Sequence, residues 1–266
     1  MTTKITDPDN AQYVLGDDMG FVALKKSSGE DIDIVNSARV SFDKESDSFN
    51  RFEEAREVGR STFFDHPDEA ENFGDMMQEL EADCEKDRKL IRFLLKHKHG
   101  TPLEHNSMTF HIKCPLFIAR QWMRHRIGVS YSEISYRYGQ PDMEFYIPGK
   151  FRSQSVNNRQ ASDTKMKLDD DLLDDIFCST IQNSTHSYLL AIENGLCREQ
   201  ARGLLPTSLY TQFYFTCNLR SLLAFIELRI HEGAQWEIQQ YAKALLDQAE
   251  SIFPETIKIW RELNDV

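Results

Sequence analysis

The 266 residues contain no CxxC pair, and the five cysteines, Cys84, Cys114, Cys178, Cys197 and Cys217, are scattered. That spacing excludes a disulfide framework or a zinc ribbon and points to reduced thiols in a cytosol-like, cytoplasmic compartment. No stretch approaches the roughly 20 apolar residues that a membrane-spanning helix needs. The opening MTTKITDPDNAQ is polar and does not read as a secretory signal. There is no linker rich in Pro, Gly or Ser and no internal repeat. Cofactor fingerprints are missing too: no GxGxxG after a strand, no GxxxxGK[ST] loop, no HExxH and no GxSxG. A nucleotide bound here is therefore held by side chains and helix ends rather than by a glycine loop. Apolar residues make up 40% and charged residues 28%. Those fractions describe an ordinary globular protein and exclude collagen-like, low-complexity and mostly disordered classes. The length allows one large domain or two small ones, and one mixed α and β domain is the simplest account.

Charge is short of balance in one place. The formal net charge is −12, and Asp43 to Asp87 holds 16 acidic against 5 basic residues, a local −11. The rest is close to neutral, so the acidity says little about partners elsewhere. From Lys113 to Arg137 the sign reverses. Lys113, Arg120, Arg124, Arg126 and Arg137 face only Glu133, with His125 among them. A compact cationic patch in a neutral scaffold suits a phosphate or carboxylate ligand. A solvated helix face is the plainer alternative.

The hydrophobic periods give a coarse map. GFVALKKSS reads as a short strand or two, followed by a helix or strand carrying Ala38, Val40 and Phe42. Met76, Met77, Leu80, Leu90, Ile91, Leu94 and Leu95 predict a helix over Asp68 to His97, which Gly100 and Pro102 end. Asn106 to Cys114 alternates cleanly and predicts a strand. Pro115 then opens a helix, PLFIARQWMRHR, in the favoured first-turn position. Phe117, Gln121, Arg124 and Gly128 would share one face of it, with Arg120 beside them. EFYIP (144–148) reads as another short strand, and 151–165 as a polar loop. A helix is expected from Leu168 to Glu193, stopped by Gly195. LYTQFYFT (209–216) reads as a strand, and Asn218 as N-cap of the helix LRSLLAFIELRIH. After Gly233 an amphipathic helix extends to Pro254, with a helix-like tail.

Chemistry-bearing residues cluster without a familiar catalytic pattern. Five of the eight His fall between His97 and His125, but their spacing matches no zinc pattern, so no metal is assigned. Cys114 and Cys217 lie in or beside strands, where a packed thiol is inert. Arg220 stands in the first turn of its helix, where a cation opposes the dipole unless an anion is present. Arg229 lies in the apolar run LLAFIELRI, and a guanidinium amid hydrocarbon needs a partner. Glu227 and a ligand are the two candidates. Two functions stay open on these residues alone. A metal-dependent nucleotide hydrolase would fail with chelator. A nucleotide- or nucleic-acid-binding module would bind with strong salt dependence.

At RQWMRHR followed by SEISYRY the sequence closely resembles the flavin-dependent thymidylate synthases. Their hallmark is Arg-His-Arg, a spacer of seven or eight residues and Ser. Here Arg124-His125-Arg126 is followed by eight residues and Ser135. HGTPLEH, TFHIKCP, EFYIP, ARGLLPTSLYT, NLRSLLAFIELR and GAQWEIQQYA resemble family segments in the right order. The resemblance covers about Asp31 to Ser41 and Leu90 to the C-terminal helix.

That resemblance implies an α/β (α+β) fold: one domain over 1–266 with a central, mostly antiparallel sheet flanked by long helices. About 50–84 would be an acidic insertion, most simply a solvated excursion. It implies a homotetramer with shared active sites. The implied reaction makes dTMP from dUMP with 5,10-methylenetetrahydrofolate, using FAD and NADPH, with no nucleic-acid or membrane partner. By family position, Thr101, Arg124, His125, Arg126, Glu133, Asn218, Leu219 and Arg220 would contact the flavin. Gln121, Arg124, Glu133, Ser135, Tyr136, Arg137, Arg202 and Arg229 would contact dUMP. Arg229 would be the catalytic group, beside N3 and O2 of uracil. Ala224 and Gly233 depart from the family, which often carries Asn or His at the first position and His at the second.

Overall fold

The computed structural model describes residues 10–62, 70–139, 142–156, 158 and 161–266. They form a mixed α and β fold with a mostly antiparallel five-stranded sheet. The strands are β1 (Gln12–Tyr13), β2 (Phe21–Ser28), β3 (Ser107–Pro115), β4 (Val129–Glu133) and β7 (Tyr210–Cys217), in the order β1-β2-β3-β7-β4. The short β5 (Ser153–Gln154) and β6 (Ser162–Asp163) make a separate antiparallel pair. The chain gathers into two compact units. The first holds residues up to Lys26, Met108–Cys217 and Ser221–Leu245. The second holds Ser27–Ser107, Asn218–Arg220 and Leu246–Val266.

In the first unit β7 is central, antiparallel to both β3 and β4. Phe110 lies opposite Phe215, and Tyr131 opposite the same residue from the other side. Aromatic cross-strand pairs of this kind fix register because a one-residue slip would turn them to the other face. The alternation expected of β3 holds, but His111 and Lys113 are also buried. Their polar ends are satisfied: His111 Nε2 meets Gln212 Oε1 at 3.0 Å, and Lys113 Nζ meets Glu144 at 2.8 Å. Behind the sheet, α4 (Leu116–Trp122) ends on Trp122, which is fully buried. Its indole lies 4.8 Å from the Phe225 ring and 5.4 Å from Phe213, centroid to centroid. Phe225 belongs to α7 (Leu219–Ile230), and Tyr241 of α8 (Trp236–Glu250) completes the cluster at 5.8 Å from Trp122. α5 (Asp170–Glu193) runs long as expected, and Gly195 follows it with φ +88°, the left-handed stop that glycine takes without strain.

Four local expectations are corrected. The helix opened by Pro115 stops at Trp122, so Arg124, His125, Arg126 and Gly128 lie beyond it in a turn, and Pro115 is its N-cap rather than its first residue. SEISYRY begins inside an unexpected strand, β4, which ends at Glu133. EFYIP contributes a single bridge, Phe145 to Leu209, instead of a strand. Within 151–165 the polar segment closes into the β5–β6 pair.

In the second unit, α1 (Asp31–Arg39), α2 (Ser48–Thr62), α3 (Ala70–Lys96) and α9 (Pro254–Asn264) pack around Ile32, Val35, Ile91 and Ile259. Asp31 receives the backbone N–H groups of Glu255 at 2.8 Å and Thr256 at 2.9 Å, closing two open donors at the start of α9. Burial pushes its carboxyl up to about 6. Arg88 forks onto Glu255 with bonds of 2.8 and 2.9 Å. Asp87, fully buried, is met by Arg39, Ser46 and Ser48. α3 begins at Ala70 in the described residues; the expected start at Asp68 lies outside them. No helix of the described residues is long and apolar enough to cross a membrane.

Candidate active site

Trp122 anchors the turn that carries the Arg-His-Arg run. The Trp122 carbonyl accepts the N–H of His125 at 3.0 Å. Tyr131 of β4 donates its hydroxyl to the carbonyls of Trp122, 3.2 Å, and His125, 3.0 Å. The His125 ring leans on Phe225, 4.7 Å between centroids. Strand, helix end and aromatic core thus fix one imidazole.

That imidazole faces Arg229 from the last turn of α7. Arg229 Nε donates to His125 Nε2 at 3.0 Å, and Nη2 donates to the Gln121 carbonyl at 3.1 Å. Because Nε2 accepts, the ring proton belongs on Nδ1. Desolvation, then the Arg229 charge, push His125 down to about 4, so it is neutral at ordinary pH. Desolvation and the neighbouring Arg124 lower Arg229 as well, without taking it out of the cationic range. The Gln121 side chain is fixed in turn, its Nε2 donating to Gln235 Oε1 at 2.6 Å. Of the two partners considered for Arg229, Glu227 is not one. Residues two apart on a helix point about 200° apart and cannot face each other.

The structure therefore brings Gln121, Arg124, His125 and Arg229 together. Arg124 and Arg126 are exposed, and neither guanidinium is ion-paired among the described residues. A second group lies along the start of β7. Glu133 accepts from Thr211 Oγ1 at 2.7 Å, and the Tyr136 hydroxyl donates to the Tyr210 carbonyl at 3.3 Å. The N–H of Arg137 donates to Ser135 Oγ at 3.3 Å, and its guanidinium stacks over Tyr138. Arg202 is exposed in a 3₁₀ turn that follows the short α6 (Arg198–Ala201), away from these bonds. Ala224 is exposed. At Gly233 the backbone N–H donates to His231 Nδ1 at 3.0 Å, so an imidazole lies against the glycine.

Thr101, Asn218, Leu219 and Arg220 belong to the second unit. There Arg220 finds its anion in Glu104, an ion pair that the residues taken one by one do not announce. The guanidinium lies across Gly100: a Cβ there would come within 2.6 Å of Arg220 Cζ. The N–H of Leu219 donates to Asn106 Oδ1 at 2.7 Å, capping α7 from a distant residue. The sequence does not mark Gln235, and it marks Gly100 only as a helix stop. Both stand in quoted segments, GAQWEIQQYA and HGTPLEH, and only their neighbours in space mark them for the site.

Other candidates resolve as packing. Cys114 and Cys217 are buried with thiols pushed well up by desolvation, which suits filler rather than nucleophile. Among the described residues no three His, Cys, Asp or Glu side chains gather as a metal site. His97 and His99 instead pack around the Phe93 ring.

A cationic site that holds one arginine through neutral acceptors suits an anionic ligand. The comparisons make that specific. Residues 23–255 match the family described as thymidylate synthase complementing protein. The flavin-dependent thymidylate synthase of Thermosipho africanus is 42% identical over 229 residues, 85% of this chain and 83% of that one. That of Thermus thermophilus is 36% identical, covering 86% of this chain and 71% of its own. The crystal structure of a UMP/dUMP methylase, PolB from Streptomyces cacaoi bound with 5-Br dUMP, superposes with a TM-score of 0.70 at 28% identity. It covers 91% of this chain and 94% of that one. The chain belongs to the flavin-dependent thymidylate synthases and is an enzyme of that family.

Proposed function

We propose that this enzyme makes dTMP from dUMP by reductive methylene transfer from 5,10-methylenetetrahydrofolate. It uses FAD, with NADPH as reductant, and no covalent enzyme nucleophile. The observation that carries the reading is the setting of Arg229, a desolvated cation fixed at Nε and Nη2 with Arg124 close by. Two neighbouring cations without a counter-ion are a site built for an anion.

The residues fit the groups the reaction needs. Arg124 and Arg126 are unpaired donors for phosphate, and Gly100 leaves room for the Arg220 side chain, a space a Cβ would fill. In the second unit Thr101, Asn218, Leu219 and Arg220 are the proposed flavin contacts, and in the first Arg124, His125, Arg126 and Glu133 are. Reduced flavin supplies the electrons that turn the transferred methylene into a methyl group, and NADPH restores it. Gln121, Arg124, Glu133, Ser135, Tyr136, Arg137 and Arg202 would hold dUMP. Carbon 5 of uracil is a weak nucleophile. Arg229, meeting the ring near N3 and O2, stabilises the negative charge that develops as N3 gives up its proton, and electron density at carbon 5 rises. The buried thiols leave that activation to electrostatics.

We further propose a cytoplasmic homotetramer with shared active sites. The whole chain acts as one catalytic domain, with about 50–84 a solvated acidic excursion.

Arg229→Ala tests the chemistry. The variant should keep flavin absorbance and lose turnover about 10²- to 10³-fold, the usual scale for removing one preorganised charge donor. Near-normal dTMP formation by Arg229→Ala would defeat the assignment.

A further inference from the structure

We propose that His125 is a positioning residue for the reaction. It accepts the Nε–H of Arg229 and, with the Gln121 carbonyl, locks the guanidinium so that its remaining N–H groups, two on Nη1 and one on Nη2, are presented to the substrate. The inference rests on the reading that Arg229 acts on uracil. It assigns to the histidine of the Arg-His-Arg run a task separate from flavin contact.

The geometry carries the argument. A free arginine side chain samples many rotamers, and fixing one costs entropy. Here two of its three nitrogens are taken by protein acceptors at 3.0 and 3.1 Å. Among the described residues Nη1 has no protein partner and Nη2 has one, so two N–H groups on Nη1 and one on Nη2 remain for a ligand. The acceptor is itself immobile: the His125 N–H is hydrogen-bonded within its turn, its C=O accepts from Tyr131 of β4, and Phe225 backs the ring. A guanidinium held this way needs little rearrangement as charge develops on the ring.

The chemical type of the two acceptors is the second part of the argument. Imidazole nitrogen and backbone carbonyl are both uncharged. A carboxylate in either place would hold Arg229 as firmly, but its negative charge would offset the field that the ring needs. Arg220 shows the contrast within the same chain, since its partner is Glu104. Neutral acceptors orient the cation and leave its charge available.

Three variants of the holoenzyme test this: His125→Phe, which keeps a ring against Phe225 and removes the acceptor; His125→Gln, which restores an acceptor oxygen; and His125→Glu, which restores an acceptor with charge. Steady-state kcat and KM for dUMP, flavin absorbance and melting temperature are measured for each. His125→Phe should keep flavin and change KM by no more than a few-fold, while kcat falls about 10- to 100-fold, the cost of a misplaced reacting group. His125→Gln should recover most of kcat, and His125→Glu should not. If His125→Phe fails to fold, His125→Gln against His125→Glu carries the same contrast. Full kcat in His125→Phe, or equal kcat in the Gln and Glu variants, overturns the proposal. So does loss of flavin as the main defect, which would make His125 a flavin contact only. Arg229→Ala run alongside separates the failures: an active Arg229→Ala defeats the underlying reading, whereas an inactive one beside an active His125→Phe defeats only this inference.

Discussion

Single residues show where sequence reasoning reaches and where it stops. That Arg229 needs a partner follows from its apolar run alone. That the partner is His125, 104 positions away, does not, because the bond depends on where α4 ends and how α7 lies over it. The sequence hallmark did put His125 between two arginines, so the residue was in view while its bond was not. Its protonation has a measurable consequence. His125 is held down to about 4 in the folded protein, against an ordinary histidine value of 6.5. The folded state therefore binds fewer protons than the unfolded state between those limits, and stability falls as pH drops through that window. Asp31, pushed up to about 6, acts in the opposite sense: its contribution is present at low pH and fades as pH rises through 6. Comparing wild type with His125→Gln cancels the Asp31 effect. Urea midpoints taken from pH 7 to pH 4.5 should fall more steeply for wild type than for the variant. Parallel curves would mean that His125 is not held neutral.

At the scale of elements, long periodic segments were legible and their ends were not. β3, α5, β7, α7 and α8 lie where alternation, a Gly stop or a capping Asn put them. The α4 boundary was missed because the apolar spacing runs on through Met123. What stops the helix is tertiary: Tyr131, on a strand that follows, donates to the carbonyls of Trp122 and His125 that a continuing helix would use. β4 was missed for a related reason, since VSYSE is short, carries just two apolar residues, Val129 and Tyr131, and is a strand because β7 offers it a ladder. Distant residues also cap α7 and α9, through Asn106 and Asp31. Asp31→Ala strips two buried donors at the start of α9 and should cost about 1–2 kcal/mol in chemical denaturation. Asp31→Asn keeps one acceptor oxygen and should fall between. An Asp31→Ala variant as stable as wild type would show that α9 is capped otherwise. Gly100→Ala predicts the reverse combination. The added methyl meets only the flexible end of Arg220, so the melting temperature should stay within about a degree or two of wild type. The displaced guanidinium should still lower the flavin retained after gel filtration. Undiminished flavin at unchanged stability would remove Arg220 from the flavin set.

At the scale of the whole molecule, the charge map and the apolar surface point to different uses. Among the described residues, the −11 segment from Asp43 to Asp87 sets some of its carboxylates in ion pairs, such as Asp83 with Lys86 and Glu81 with Arg88. α5 is the opposite case. It has 24 residues and one buried side chain, Tyr188. Leu172, Ile176 and Leu190 stand 55%, 49% and 47% exposed. Four- and eighteen-residue spacings place all three within about 40° of one another around the helix. A stripe of hydrocarbon along a long helix is costly in water and marks a surface that another protein covers. A second copy of the chain is the occupant that the proposed tetramer supplies, and aliphatic side chains along an interface core are what obligate assemblies bury. Light scattering on the purified protein should give four times the 31.0 kDa of one chain. Leu172→Arg combined with Leu190→Arg should shift that mass down, because two unpaired cations would have to be desolvated at the contact. If the sites are shared as proposed, dTMP formation should fall with the mass and recover at protein concentrations that restore it. A double variant that stays tetrameric with full activity would place the subunit contact on another face and leave the α5 stripe without a role.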